Sequence, residues 1–382
     1  MMKTMSAYTF EIDDVAVAVS EILDQLDVEH TLCAHSVGLM TCYDEFIETG
    51  VTKALSDALP FDIIGCSTMA SASAGELGEM MLCLTVFTSD EVLFSAGVSQ
   101  SLTEIQDAPL IAAYQGARKI LPGEPAMMLM CGPTISQLGG ELLVEKLDAI
   151  TGGIPLFGTL ASDYRMDYNR TYTIFNGQSS NDTLSFVLVY GPIQPSFFVA
   201  TIPGEKVQTQ KAIITKAEGN ILMEINDMPV QVYLEHLGLI DAWVATASFP
   251  FLIDYNDGTK PVLRSIYTLT PEGYAVCGGR MPVGTTLMVG DIDCADVMYT
   301  TGETVKQILQ VPEPSCILMF SCLTRYLVLE ADPTAELEQV RSSIHDTVYQ
   351  FCYSGGEICP VYTENGRLVN RFHNCTLIVC VL

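Results

Sequence analysis

Apolar side chains recur at helical spacing over Asp13–Leu26, where Val15, Val19, Ile22, Leu23 and Leu26 share one face and two aspartates stand at the positive end of the helix dipole. This spacing predicts a helix that covers a sheet. Continuous apolar runs follow: Phe61–Ile64 leads into Gly65-Cys66-Ser67-Thr68, and Met81–Phe87 and Val92–Val98 come next, each short enough to be a buried strand. A Pro109-led helix to Ile120, a strand over Ala126–Cys131, a helix around Leu138–Ile150 and a strand over Ile154–Gly158 continue the alternation. Strand, helix, strand is the crossover order of a partly parallel sheet.

Two distant segments, Ala126–Gly191 and Cys316–Leu382, repeat one order of parts. Each opens on a strand of apolar and sulfur residues, AMMLMC in the first and CILMFSC in the second, and continues through a loop into a periodic helix. In the second segment Asp332-Pro333 reads as the helix start, with Leu337, Val340, Ile344 and Val348 on the buried face. A short strand then breaks at glycine beside a carboxylate, Asp163 in one copy and Glu357 in the other. An aromatic strand with an Asn-Gly turn follows, over Tyr172–Gly177 and Val361–Gly366, and a final apolar strand closes each copy. Asp227-Met228-Pro229 starts a further helix that Gly238 should end. The expected fold is α/β (α+β): two related halves, over residues 1–227 and 228–382, with mixed β-sheets flanked by helices and a pseudo-twofold duplication.

Length and composition agree with two cores, since 382 residues at 49% hydrophobic and 17% charged exceed one ordinary domain and are far from a disordered composition. No apolar stretch approaches the roughly 20 residues of a membrane helix, and Met1–Phe10 lacks the basic and apolar blocks of a secretion signal, so the expected location is cytoplasmic. Eighteen basic against 46 acidic residues give a net charge of −28, which repels nucleic acid and anionic membrane faces. Thirteen scattered cysteines, most of them inside apolar strands, read as reduced core thiols. No C-x-x-C, H-E-x-x-H or C-x-x-C-H pattern occurs, and no metal site is expected.

The segments Gly65-Cys66-Ser67-Thr68, Phe157-Gly158 with Ser162-Asp163, Ile214-Thr215-Lys216-Ala217 with Gly219-Asn220, Phe320-Ser321-Cys322 with Arg325, Gly356-Glu357-Ile358 and His373-Asn374-Cys375-Thr376 lie in that order along nearly the whole chain. In order and spacing they resemble the FIST proteins (F-box and intracellular signal transduction), with an N-terminal and a C-terminal FIST domain side by side. The chain departs from the usual family pattern at Gly158-Thr159 and at Gly355, where an aromatic residue is common. The resemblance implies a bacterial intracellular sensor of small ligands, amino acids among them, without a catalytic role. No kinase, cyclase or methyl-accepting segment is present, so the signal is expected to pass to a separate protein such as a histidine kinase. Some relatives are haem proteins that respond to nitric oxide, which makes His373, His35 and His236 the candidate axial ligands.

The expected ligand-binding residues are Glu357, Gly355, Gly356, Arg325, Cys322, His373, Asn374 and Asp163. Glu357 would receive an ammonium and Arg325 a carboxylate, while the glycines let backbone N–H groups approach the ligand. Asp163 is the corresponding acid of the first copy, and His373 to Thr376 offer an imidazole, an amide, a thiol and a hydroxyl at the start of a strand. A thiol or serine hydrolase would need a histidine within reach of Cys322 or Ser67, and no G-x-S-x-G elbow occurs. A protein-interaction scaffold is the remaining alternative. Trp243, the single tryptophan, sits in the apolar connector Leu239–Ile253 and reads as core or interface.

Overall fold

The computed structural model describes residues 2–103, 107–134, 139–165, 168–239 and 248–382. Trp243 lies outside them. The expected α/β class holds: mixed sheets are flanked by helices, and a fourth, antiparallel sheet is inserted late in the chain.

Three of the four sheets are built to one plan. Each holds a parallel pair joined by a helical crossover: His35–Cys42 with Asp62–Ser67, Met127–Gly132 with Leu156–Leu160, and Ile317–Cys322 with Tyr349–Ser354. The last strand of each unit returns antiparallel to the first member of its pair, as Leu82–Ser89, Ser185–Tyr190 and Leu377–Val381. The unit read twice in the sequence thus occurs three times, in a cyclic arrangement.

Between its second and last strands every unit makes a short hairpin, and none keeps it. The hairpin of Ser71–Ser73 and Glu76–Gly78 pairs with Tyr349–Ser354 of the third unit. That of Thr173–Phe175 and Gln178–Ser180 pairs with Asp62–Ser67 of the first, and that of Glu357–Tyr362 and Leu368–His373 with Leu156–Leu160 of the second. Asn176 and Gly177, with φ of 50° and 74°, make the tight turn that their sequence demands. The inner sheet faces share one core, to which the first unit gives Leu39, Ile64 and Cys66, the second Leu129, Cys131 and Phe157, and the third Leu318, Phe320 and Cys352. Phe157 and Phe320 stack there with ring centroids 5.4 Å apart. All thirteen cysteines are free thiols, and all but Cys33 and Cys294 are buried.

Helices cover the outer faces. Val15–Leu26 is capped by Asp14, whose carboxylate accepts the Ala16 and Val17 N–H groups at 3.0 and 3.2 Å. The helix expected to open at Asp332-Pro333 begins later, at Ala335, and ends at Ser343. Leu337 and Val340 lie on its buried face, whereas Ile344 is its C-cap and Val348 precedes the next strand. Likewise Met228–Pro229 forms a short strand and the following helix runs Val230–His236, with Gly238 in the left-handed conformation just beyond it. No helix among the described residues is long and apolar enough to cross a membrane.

The fourth sheet is an insert between Ser196–Ala200, which pairs with Leu377–Val381, and the helix Cys294–Ile308. Its strands run Val262–Arg264, Phe251–Asp254, Thr286–Val289, Ala212–Glu218, Ile221–Ile225, Ala275–Cys277 and Ile266–Leu269 in spatial order, around a core of its own that includes Ile214, Leu222, Phe251 and Leu287. Leu252 and Leu263 also pack with Val297, Val328 and Cys375 of the third unit, which seats the insert on the three-unit body.

Arg325, expected to meet a ligand, instead ties the helices of the third unit together. Its Nε and Nη2 donate to Glu336 Oε1 at 3.1 and 2.7 Å, and Nη2 also donates to the Thr301 hydroxyl at 2.8 Å and the Val297 carbonyl at 3.1 Å. Ser321 satisfies the other Glu336 oxygen at 2.8 Å, and both charged side chains are fully buried. Removing one partner strands the other charge, so Arg325→Met should cost about 3–5 kcal/mol in urea unfolding, and Arg325→Met with Glu336→Leu should recover most of it. A single variant within experimental error of the wild type would contradict this assignment.

Candidate functional site

Glu357 is the first residue of its exported hairpin, opposite Thr159 of the neighbouring unit and His373 of its own. The corresponding residues of the other two hairpins are Thr173, opposite Cys66, and Ser71, opposite Cys352. Only the third unit therefore places a carboxyl at this point. Asp163, expected to be the matching acid, lies instead in the segment after Leu156–Leu160. Glu357 is fully buried; the Thr376 hydroxyl donates to Oε2 at 3.2 Å and the Ser354 hydroxyl to Oε1 at 3.4 Å. Burial raises its pKa well above the ordinary 4.5, outweighing the opposing hydrogen bonds from Thr376, Cys322 and Ser354, and so favours the protonated carboxyl.

Beside it a cavity of about 410 Å³ opens where the insert meets the three-unit body. The body contributes Thr134, Leu160, Tyr168 and Gly355, and the insert Asn220, Tyr267, Cys277 and Gly278. Tyr168 is lifted to about 12, by burial first and then by Cys322, Asp163 and Glu357, so its phenol lies in the field of both acids. Tyr267 exposes 45% of its surface, yet its hydroxyl end is withdrawn from solvent and feels Tyr168, Cys322, Glu357 and Cys375, which raise its pKa further. Two non-glycine residues here adopt left-handed backbone, Tyr168 at φ 59° and Cys375 at φ 53°. Such conformations cost of order 1–3 kcal/mol each and gather at binding sites. Gly355 is required by close approach, since a Cβ there would lie 2.6 Å from the Ala161 carbonyl oxygen, to which Thr134 Oγ1 donates at 2.5 Å.

The insert is anchored at this seam by Arg264. Its guanidinium is fully buried, pairs with Glu141 at the start of the helix Gly140–Thr151, donates to the Tyr255 hydroxyl at 2.9 Å and reaches the carbonyls of Leu263 and Phe372 at 2.7 and 3.2 Å. Ser265 adds hydroxyl contacts to Thr324 at 2.9 Å and to the Cys375 thiol at 3.0 Å.

Of the residues expected from sequence, Glu357, Cys322, Gly355, Asn374 and Asp163 gather at this seam. Asn374 is fully buried behind Gly278, and Asp163 Oδ2 accepts the Arg170 N–H at 3.1 Å while Oδ1 has no partner. Gly356 backs onto the Phe372 ring, 2.6 Å from a built Cβ. Arg325 is fully buried and paired with Glu336. His373 is buried with Nε2 3.1 Å from the Cys359 carbonyl, and burial lowers its pKa to about 3, which keeps the ring neutral. Sequence reasoning missed Tyr168, Tyr267, Thr134 and the Arg264–Glu141 anchor. The Gly278-Gly279 doublet was the one available signal for the insert's side of the wall.

Haem does not fit this cavity. Among the described residues no histidine lines it, His35 and His236 are exposed in separate elements, and the lining thiol, Cys277, is raised to about 12 by burial and so disfavours the thiolate. No group of three or more His, Cys, Asp or Glu side chains among the described residues is placed to hold a metal ion. Cys322 contacts Thr324 at 3.5 Å and Ser67 accepts the Tyr172 N–H at 2.8 Å; among the described residues neither hydrogen-bonds a histidine. Burial and the neighbouring Glu357 raise the Cys322 thiol, the opposite of what activates a nucleophile.

The sequence was also compared with known proteins. No curated protein matches it. Residues 36–228 match the model of the FIST N domain and residues 229–360 that of the FIST C domain, families of signal-transduction sensor domains. Together the two matches cover most of the sequence: the chain belongs to the FIST family.

Proposed function

We propose that the chain is a sensory protein that binds a small polar molecule in the cavity between insert and three-unit body, and that a separate signalling protein, such as a histidine kinase, reads its occupancy. The observation that carries this reading is a cavity at a seam between two bodies, walled by Tyr168 and Tyr267, with the fully buried carboxyl of Glu357 close behind. A ligand there touches both and so biases how they dock, which is the differential contact a population shift requires. The segments 1–227 and 228–382 act as one sensory unit in this reading, because strands from both complete the third sheet.

The chemistry is that of recognition. Glu357 offers a carboxyl, and Tyr168 and Tyr267 offer phenols kept protonated by their surroundings. An amino acid could place its ammonium on Glu357 but would find the expected arginine engaged by Glu336. We therefore keep amino acids as one class in the test, beside uncharged polar molecules.

Two measurements check this reading. A ligand that binds only the native protein raises its melting temperature, so a screen of small polar compounds should yield a shift that Glu357→Gln removes. A shift of equal size in wild type and variant would place the ligand elsewhere.

The second is pH dependence without ligand. The raised folded pKa means that the native protein holds a proton which the unfolded chain releases above about pH 4.5. This group's contribution to stability is therefore intact below the ordinary carboxyl value and is lost as pH rises toward the folded value. Glu357→Gln, which cannot ionise, should gain on the wild type in urea midpoint progressively as pH is raised from about 4.5. A difference that does not vary with pH would show that Glu357 is ionised in the folded protein.

A further inference from the structure

Several donors in the cavity wall already have partners within the protein. The Thr134 hydroxyl donates to the Ala161 carbonyl at 2.5 Å and the Asn220 amide nitrogen to the Cys277 carbonyl at 3.0 Å, while the N–H groups of Gly278 and Gly355 donate to Ser265 and Leu160 at 2.8 and 3.0 Å. The hydroxyls of Tyr168 and Tyr267, in the same wall, donate to no acceptor among the described residues. Irregular backbone brings both phenols there. Between Ile266–Leu269 and Ala275–Cys277 the register slips from Ile266 opposite Cys277 to Thr268 opposite Val276, which leaves Tyr267 as the extra residue of a bulge. Bulges of this kind re-aim a side chain and gather beside functional sites. Tyr168 takes the left-handed conformation, at φ 59°. Gly278 keeps the space at the Tyr267 hydroxyl open, since a Cβ there would lie 3.0 Å from it.

The side chains around the two phenols are apolar. Ile221 and Val276 stand opposite one another on neighbouring strands of the insert, and Leu160 and Phe372 line the cavity from the body. Among the described residues no Asp, Glu, Lys, Arg or His lines it. A charged ligand would therefore give up its hydration with no counter-ion in the wall. Burial holds both phenols protonated, so each hydroxyl is available as a donor. Two placed donors in an apolar wall suit an acceptor oxygen carried on an apolar body.

We propose that the cavity takes a small neutral compound with a flat apolar ring and a carbonyl group, whose oxygen accepts hydrogen bonds from the hydroxyls of Tyr168 and Tyr267. On the reading of the cavity as the sensory site, this is the class of molecule sensed. The ring lies against Leu160, Ile221, Val276 and Phe372. Tyr168 belongs to the three-unit body and Tyr267 to the insert, so one carbonyl oxygen bridges the two. That bridge exists only when body and insert are docked with both phenols in reach, which gives the ligand its differential affinity for one arrangement.

The test is isothermal titration and thermal shift on the full chain with compounds that share one ring: acetophenone and benzamide, which are neutral carbonyl compounds, benzoate, benzylamine, and toluene, which has no acceptor. At least one of the two carbonyl compounds should bind, with benzoate and benzylamine about tenfold weaker or worse. Tyr168→Phe and Tyr267→Phe keep the ring and remove the hydroxyl, so each should weaken the carbonyl compound about fivefold and leave toluene unchanged. Val276→Phe fills the cavity and should abolish binding of every compound. The melting temperature of each variant without ligand shows whether it is folded, and if Val276→Phe is not, the two tyrosine variants decide. Carbonyl binding unchanged in both would overturn the proposal. Benzoate or benzylamine binding as tightly as the carbonyl compounds, and lost in Val276→Phe, would overturn the neutral class and leave the sensor reading standing. No binding by any of the five would also overturn the proposal, while the sensor reading is decided separately by the wider screen with Glu357→Gln.

Discussion

Each parallel strand pair has an open edge that only a hairpin from another unit fills. At the first seam the Ser67 N–H donates to Tyr172 at 2.8 Å; at the second, Leu160 and Gly356 are joined at 2.9 Å and Gly355 and Leu160 at 3.0 Å. At the third, Met69 donates to Tyr353 and Tyr353 to Ala70, both at 3.1 Å. An unfilled edge would leave buried N–H and C=O groups without partners and a template for mispairing. Three units that close one another's sheets in a ring satisfy these groups together. The core of Leu39, Phe157, Phe320 and their neighbours is the apolar consequence of that closure.

The site follows from the same constraint. Because the third unit's hairpin completes the second unit's sheet, Glu357 is carried out of its own sheet and set beside Thr159, and Asn374 and Cys375 are delivered to the same seam. The equivalent positions in the other hairpins are Ser71 and Thr173, where Thr173 hydrogen-bonds Thr183 at 2.9 Å. The third unit repeats that local geometry with Glu357 and Thr376 at 3.2 Å, so a common structural contact has been converted into a buried acid. The insert then roofs this one unit, anchored by Arg264 on Glu141 and by Ser265 on Thr324 and Cys375. Idle amide atoms at Asn374 and left-handed backbone at Tyr168 and Cys375 are local costs of the kind that functional sites carry and the rest of a fold must offset.

Much of the scaffold was legible in the sequence, and the reasons are local. The Val15–Leu26 face, the apolar strands and the Asn176-Gly177 turn each follow from periodicity or turn chemistry within a few residues. The third copy of the unit was hidden because its hairpin, Ser71–Ser73 and Glu76–Gly78, is made of small residues around an Ala74-Gly75 turn and lacks the aromatic strand and Asn-Gly signal of the other two. Asp163 resembled Glu357 in sequence because strand register, which separates them, is a property of pairing and not of spacing. The pairing of Arg325 was hidden for a related reason: its partner Glu336 lies on the next helix, and nothing in the intervening sequence marks the pair. Tyr168, Tyr267 and Gly278 carry no motif, and only the docking of the insert brings them to one wall.

If the exchanged hairpins are what make the three units one body, they must open only when that body unfolds. Native-state hydrogen exchange on the seam amides of Ser67, Leu160, Gly355 and Tyr353, compared with central strand amides such as Leu129 and Leu318, measures this directly. The account predicts that the seam and central amides exchange with the same free energy, equal to that of global unfolding. Seam amides that exchange through a much cheaper local opening, with the central strands still protected, would show that the hairpins are peripheral and that Glu357 is not held by the fold in the way described.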